Sequence, residues 1–441
     1  MTSRVTCRRT DIVSADALVG LDRRLGGFSN DAEMEVWQSD QRPVTCHWQR
    51  GLNRVTALDF TGLSQLAAVG DGWLQDWTSC DAADFTGLAQ LATVGHSWLC
   101  GGTSLTALDC TGLAKLVTVG DDWVSGCTSL TTADFTGLTQ LATVGHYWLL
   151  GCTRLAALDC AGLIQLAHVG SCWLLGCSGL QALNCTGLAR LATVGDGWLR
   201  GCTSLTHVDF KGVTQLATVG HYWLFGCTKF TALDCTGLAR LAKVGDGWLS
   251  CCNSLTAVDF TALGQLVTVG HDWLCSCTGL TALDCTGMTR LASVGDDWLR
   301  GCTSVTAVDF SARQLATVGH SWLRCCVSLM RVDCTRLATL ETVGHSWLFG
   351  CSSLSALDCR GLSQLATVGD YWLSSCSSLT TLDCATLTQL ATVGDNWLSA
   401  CPRLHSLNFT GLRKLVHVGH YWLYRCTSLT ALDCTRLTQL A

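Results

Sequence analysis

An α/β repeat solenoid, built from about 15 copies of a 25-residue unit, is the fold that this 441-residue sequence predicts. Three observations predict it. An aspartate recurs at 59, 84, 109, 134 and 159, at 209, 234, 259, 284 and 309, and at 333, 358, 383 and 433. Asn184 and Asn408 fill the two gaps, and one single-residue deletion near Arg313 breaks the spacing. A Val-Gly dipeptide places its glycine eleven residues after the aspartate (ten in the shortened copy), and a Trp follows three residues later. A stack of this kind grows in one dimension without enlarging its core, so the length does not demand several domains.

Within a copy, Leu105, Leu108 and Cys110 fit a short strand with Asp109 turned outward between buried side chains. Asp-Cys-Thr-Gly then reads as a turn, because Asp bonds backbone two residues on and Gly tolerates positive φ. Leu113, Leu116 and Val119 carry the chain across the core. Trp123, Val124 and Cys127 stand at i, i+1 and i+4, which predicts a short helix with Asp121 as its N-cap and Gly126 at its C-terminal end. Residues 51–441 are assigned to the solenoid. Residues 1–50 do not repeat, carry clustered arginines with Trp37 and Trp48, and are expected to form an N-terminal cap or leader.

Composition agrees with a mostly buried repeat: 48% of residues are apolar and 14% charged, against about 25% charged in an average domain. No run approaches the roughly 20 apolar residues of a membrane span. The N-terminal stretch has arginines and no apolar signal region, so the expected location is cytoplasmic, with a surface location as the alternative. A net charge of −6 argues against a nucleic-acid partner. Of the 30 cysteines, thirteen lie seven residues after the Val-Gly glycine and nine follow the aspartate or its Asn substitute. Phe takes that second position in seven other copies (60, 85, 135, 210, 260, 310 and 409), so it is a core position and its Cys a small buried hydrophobe.

The pattern LxxLxC…LxxLxxVGxxWLxxCxxL resembles the BspA-like, or treponemal-type, leucine-rich repeats, over roughly residues 55–441. Trp-Leu stands where that family has Ala-Phe, and the proline after the strand is missing. The resemblance implies a right-handed leucine-rich-repeat superhelix with stacked parallel strands on one face, and it implies interaction proteins, commonly at surfaces.

A second period runs through the copies. Those with Phe tend to carry Gln and then His, as in Phe85/Gln90/His96 and Phe260/Gln265/His271. Those with Cys tend to carry a base and then Asp, as in Cys110/Lys115/Asp121 and Cys285/Arg290/Asp296. Past His320 this alternation breaks down.

Three ladders are candidates for function. The strand aspartates, with Asp209, Asp234, Asp259 and Asp284 at their centre, are expected to face solvent in a row about 4.8 Å apart. They bind cations or a basic partner, or they serve the turns of their own copies. The residue after Val-Gly is Asp in seven copies, His in seven and Ser171 in one, a pattern that reads as helix capping or as a proton-sharing or metal-holding column. The Trp column reads as core packing rather than a sugar- or base-stacking stripe. On the helix side, Tyr147 with Leu150, Tyr222 with Phe225, and Tyr421 with Tyr424 share one face at i, i+3 and form candidate contacts for a protein partner.

No GxSxG, P-loop, HExxH or zinc-type Cys/His pattern occurs, and neither catalysis nor a cofactor is expected. The function predicted is a non-enzymatic protein-interaction scaffold for an unidentified, basic partner. The alternatives are a surface adhesion or antigen-like protein and cation binding on the acidic ladder. The sequence stops in mid-repeat at Thr438-Gln-Leu-Ala, so self-association through an uncovered C-terminal end is also expected.

Overall fold

In every coil the apolar residues lie 25 apart, so stacking coils brings like onto like. The computed structural model describes residues 12–14, 57–60, 63–310 and 313–440. It divides into two units, Met1–Gln215 and Leu216–Ala441. Each is a parallel-strand β-solenoid. The cap or leader expected over 1–50 lies outside the described residues, apart from Ile12–Ser14, a strand paired parallel to Ala57–Asp59.

Each coil up to the one at Asn408 contributes a strand that ends at or beside the aspartate or its Asn substitute and a second one that ends at the valine of Val-Gly. In the first unit, the strands Ala82–Asp84, Ala107–Asp109, Thr132–Asp134, Ala157–Asp159, Ala182–Asn184 and His207–Asp209 form one sheet with sequential coils adjacent. In the second unit, Ala232–Asp234 through Arg331–Asp333 form a five-stranded sheet, and Ala356–Leu357, Thr381–Asp383 and Ser406–Asn408 a three-stranded one. The Val-Gly strands stack the same way, with Val119 opposite Val144. Register survives the deletion, with Val294 opposite Val318. Between the two strand columns lies the core: Leu105, Leu108, Cys110, Leu113, Leu116, Trp123 and Cys127 are all buried. Each Leu buried in this way contributes about 1.5–3 kcal/mol relative to exposure.

The predicted short helix does not form, and no α-helix occurs among the described residues. Asp122, Val124 and Gly126 have φ of 58°, 57° and 72°, so every second residue is left-handed, and an α-helix cannot pass through such an alternation. The backbone bonds go to neighbouring coils instead. Asp122 N–H donates to the His146 carbonyl at 2.7 Å and Gly126 N–H to the Leu150 carbonyl at 2.7 Å, while Val124 N–H donates back to the Trp98 carbonyl at 2.9 Å. A left-handed L-residue costs about 1–2 kcal/mol, and these cross-coil bonds hold it in place.

The turn after the aspartate forms as expected, with Thr111 N–H donating to Asp109 Oδ1 at 2.9 Å and the Thr111 hydroxyl to the same oxygen at 2.7 Å. Its glycine has another reason than positive φ. A Cβ on Gly112 would lie 2.4 Å from Thr86 Cα of the preceding coil, so close approach excludes it. The Val-Gly glycine obeys the same constraint: a Cβ on Gly120 would lie 2.7 Å from Gly95 C and from His96 N.

Candidate binding face and the side-chain ladders

The strand aspartates stand in register and largely open to solvent. In the first unit Asp84, Asp109, Asp134 and Asp159 are followed by Asn184 and Asp209. In the second, Asp234, Asp259, Asp284, Asp309 and Asp333 are consecutive. Of the four singled out by sequence, Asp234, Asp259 and Asp284 are thus neighbours in one sheet, and Asp209 belongs to the other unit. Each spends Oδ1 on its own turn: Lys211 N–H donates to Asp209 at 3.0 Å, Thr236 N–H to Asp234 and Thr261 N–H to Asp259 at 2.9 Å, and Thr286 N–H to Asp284 at 2.7 Å.

Beside this column the strands present alanine. An open groove of about 480 Å³ is floored by Ala82, Ala83, Ala107 and Ala133 and edged by Asp84, Asp109, Asp134 and Asp159. Its counterpart in the second unit, about 490 Å³, is lined by Ala257, Ala282 and Ala307 with Asp284, Asp309 and Arg331. The charge is modulated along the column. Asn184 Nδ2 donates to Asp159 Oδ1 at 2.9 Å and Asn408 Nδ2 to Asp383 Oδ1 at 2.8 Å. Arg360 grips Asp358 with Nη2 at 2.6 Å and, with its hydrogen bonds, holds that carboxyl below the usual carboxylate range. Asp333 is also held low, chiefly by its bonds from Thr335.

The residue after Val-Gly does something the sequence did not reveal. With no helix to cap, its side chain accepts the backbone N–H of the same position one coil on. His96 N–H donates to Asp71 Oδ1 at 2.8 Å, Asp121 N–H to His96 Nδ1 at 3.0 Å, His146 N–H to Asp121 Oδ1 at 2.7 Å, and Ser171 N–H to His146 Nδ1 at 2.9 Å. Asp196 N–H completes the first unit's series by donating to Ser171 Oγ at 3.1 Å. The second unit repeats the scheme from His221 to His420. His, Asp and Ser are interchangeable here because each offers an acceptor. The same bond answers the metal reading. Accepting the backbone N–H occupies the Nδ1 lone pair, so only Nε2 of these rings is left for a metal.

The 50-residue alternation also resolves into contacts between coils. Lys115 Nζ donates to Gln90 Oε1 at 2.5 Å, Arg290 to Gln265 at 2.6 Å and Lys414 to Gln389 at 2.6 Å, and Arg190 makes the same bond to Gln165. The base thus reaches the amide of the preceding copy. Where Phe stands, it packs on the Trp column: Phe135 meets both Trp123 and Trp148, at 5.2 and 5.5 Å between ring centres.

The Trp column is core. Trp98, Trp123, Trp148 and Trp173 are fully buried, and each ring lies 5.1–5.3 Å from the next within 4° of parallel. Their indole N–H groups have no hydrogen-bond partner. The cysteines behind them are buried thiols. Cys127 Sγ donates to the Leu99 carbonyl at 3.1 Å, and burial pushes its thiol up to about 12.

The aromatic pairs meet on a turn rather than a helix. Tyr222 and Phe225 pack edge to face at 5.7 Å, Tyr421 and Tyr424 at 6.0 Å. Tyr421 and Tyr424 are 67% and 52% exposed and Tyr147 is 42% exposed, while Leu150 is half-buried. Tyr222 and Phe225 also lean on the next coil: a Cβ on Gly247 would meet Tyr222 Cδ1 at 2.6 Å. One contact of this kind was missed from sequence. Phe349 packs edge to face on Tyr371 of the following coil at 5.9 Å, with Arg324 over its other side at 5.1 Å. Its partners come from different positions of different copies, so an i, i+3 search does not find it.

Short parallel strands in register, a leucine-built core and one coil per 25 residues define a leucine-rich-repeat solenoid. The model for the BspA type leucine-rich repeat region matches residues 175–306, 275–383 and 345–440, and the chain belongs to that family. Among solved structures it is similar to a leucine-rich repeat protein from Bacteroides ovatus, with 18% identity, a TM-score of 0.60, and coverage of 77% of this chain and 81% of that one. A leucine-rich cell surface protein from Faecalibacterium prausnitzii is 13% identical with a TM-score of 0.40, over 72% of this chain and 83% of that one. The functional domain of InlJ from Listeria monocytogenes, described as including a cysteine ladder, is 19% identical with a TM-score of 0.33, over 82% and 71%. No curated protein matches the chain. Among the described residues no helix is long and apolar enough to cross a membrane.

Proposed function

We propose that the protein is a non-enzymatic protein-interaction scaffold whose strand face receives a basic partner. The observation that carries this reading is the in-register column of solvent-facing carboxylates beside an alanine-floored groove. Small side chains let another backbone approach the sheet, and the carboxylates favour a positive segment of it. Turn duty does not consume the charge, because a single oxygen meets the turn N–H.

Nature supplies the control. Asn184 and Asn408 keep the turn bond, at 3.0 and 3.1 Å from Thr186 N and Thr410 N, without the charge. Asp-to-Asn changes at 209, 234, 259 and 284 therefore remove charge and leave the turns. Affinity capture from the native extract, comparing wild type with this variant, tests the proposal. Basic proteins held by the wild type, released by rising salt and lost by the variant are the expected result. Partners retained equally by both would overturn the strand-face reading and turn attention to Tyr147, Tyr222, Phe225, Tyr421 and Tyr424.

A further inference from the structure

We infer that the ladder after Val-Gly is an acid-responsive spine. Its weak steps are His146–Ser171 in the first unit and His320–His345 in the second, where acidification loosens the contact between coils first.

The argument starts from one lone pair. At every histidine step, Nδ1 accepts the backbone N–H of the next coil, which a protonated ring cannot do. What protonation offers in exchange depends on the next residue. At four steps that residue is Asp, and its Oδ2 already lies beside the ring nitrogen: His96 Nδ1 is 3.2 Å from Asp121, His221 3.0 Å from Asp246, His271 3.2 Å from Asp296, and His345 3.0 Å from Asp370. There the gained proton trades a neutral acceptor bond for a charge-assisted one to the same residue. The coils stay tied.

His146 and His320 have no such exchange. His146 is followed by Ser171, whose N–H it accepts at 2.9 Å. The other groups around it are Asp121 below, bound to the His146 N–H at 2.7 Å, Asp122, whose N–H meets the His146 carbonyl, and Tyr147 beside it at 6.2 Å. His320 is followed by His345, whose N–H it accepts at 3.0 Å and whose ring stacks on its own at 4.7 Å. Below it are Asp296, which accepts the His320 N–H at 2.6 Å, and Asp297, and beside it is Ser321. The ion pairs of the described ladder leave out both rings. Protonation here removes an acceptor, leaves an N–H opposite an N–H, and at His320 sets a cation against a second imidazole.

Imidazoles ordinarily change charge between about pH 5 and pH 8, so the experiment is amide hydrogen exchange of the full chain at both ends of that range, corrected for intrinsic rates. Losing one such bond reduces protection by up to about tenfold. The expected result is a fall of that order, on acidification, at the Ser171 and His345 amides, with less change at Asp121, Asp246, Asp296 and Asp370. His146→Asn and His320→Asn place a non-titrating acceptor at the same reach and abolish the fall. The inference is overturned if the six amides change together, or if the Asn variants lose protection as the wild type does. The comparison among wild-type amides stands even where a variant fails to fold.

Discussion

The two aspartate ladders of the second unit use one side chain for two different jobs. Asp259 spends Oδ1 on Thr261, two residues along its own coil, at 2.9 Å. Asp246 spends Oδ1 on His271, one coil along the stack, at 2.8 Å. The first is local chemistry that any isolated turn could make. The second exists only when the coils are in place, and it is part of what puts them in place. Natural variation follows this division. The strand position accepts Asp or Asn alone, the pair that can close the turn, and the ladder position accepts Asp, His or Ser, any side chain with an acceptor at the right reach. The glycines divide likewise. Ala262, Ala312, Arg336, Thr386 and Arg436 replace the glycine of the strand turn, whereas the Val-Gly glycine stands in every copy.

That contrast orders the expected effects of substitution. Gly270→Ala should be the most damaging, because its Cβ would lie 2.2 Å from Asp246 Oδ1 and 2.7 Å from Asp246 N. Forcing the coils apart there should cost about 3 kcal/mol, seen as lost exchange protection across both coils. Asp246→Ala should cost about 0.5–1.5 kcal/mol for the cross-coil bond from the His271 N–H, with the contact to His221 lost besides. Asp259→Ala removes a solvent-exposed turn bond and should cost about 0.5–1.5 kcal/mol, with Asp259→Asn within about 0.5 kcal/mol of wild type. Denaturant titration with residue-resolved readout separates these, since a repeat stack need not unfold in one step.

The smallest effect concerns charge on the strand face. Arg360 holds Asp358 below the ordinary carboxylate range. The folded carboxyl is thus the stronger acid, so the stability this pair adds is present above the unfolded midpoint of about 3.9 and fades as pH falls through the lower folded one. Arg360 is exposed and Asp358 only half-buried, and the gain is small. Arg360→Ala should raise the Asp358 titration midpoint, as an NMR pH titration would show, with little change in unfolding.

Most of the fold was legible because the 25-residue period assigns every buried position at once. Leu113, Leu116, Trp123 and Cys127 were read as core and are core. The helix was misread for a physical reason. Leu, Val and Tyr stand in left-handed conformations that their own preferences disfavour, held by bonds to other coils, and sequence spacing shows no such bond. Glycine left a trace of it: Gly197 and Gly201 flank Trp198 at two left-handed sites, a pairing that one cap per helix would not need. The ladder was hidden for a similar reason. His146 and Ser171 are 25 residues apart, and their relation appears only when one coil is set on the next.

Amide exchange at His271 and Thr261, measured in wild type, Asp246→Ala and Asp259→Ala, tests the central division most directly. Loss of His271 protection spreading through both neighbouring coils in Asp246→Ala, with a change confined to the turn at Thr261 in Asp259→Ala, is the predicted result. Equal and equally local losses in the two variants would contradict it, and would mean that the post-glycine side chains decorate the stack without joining it.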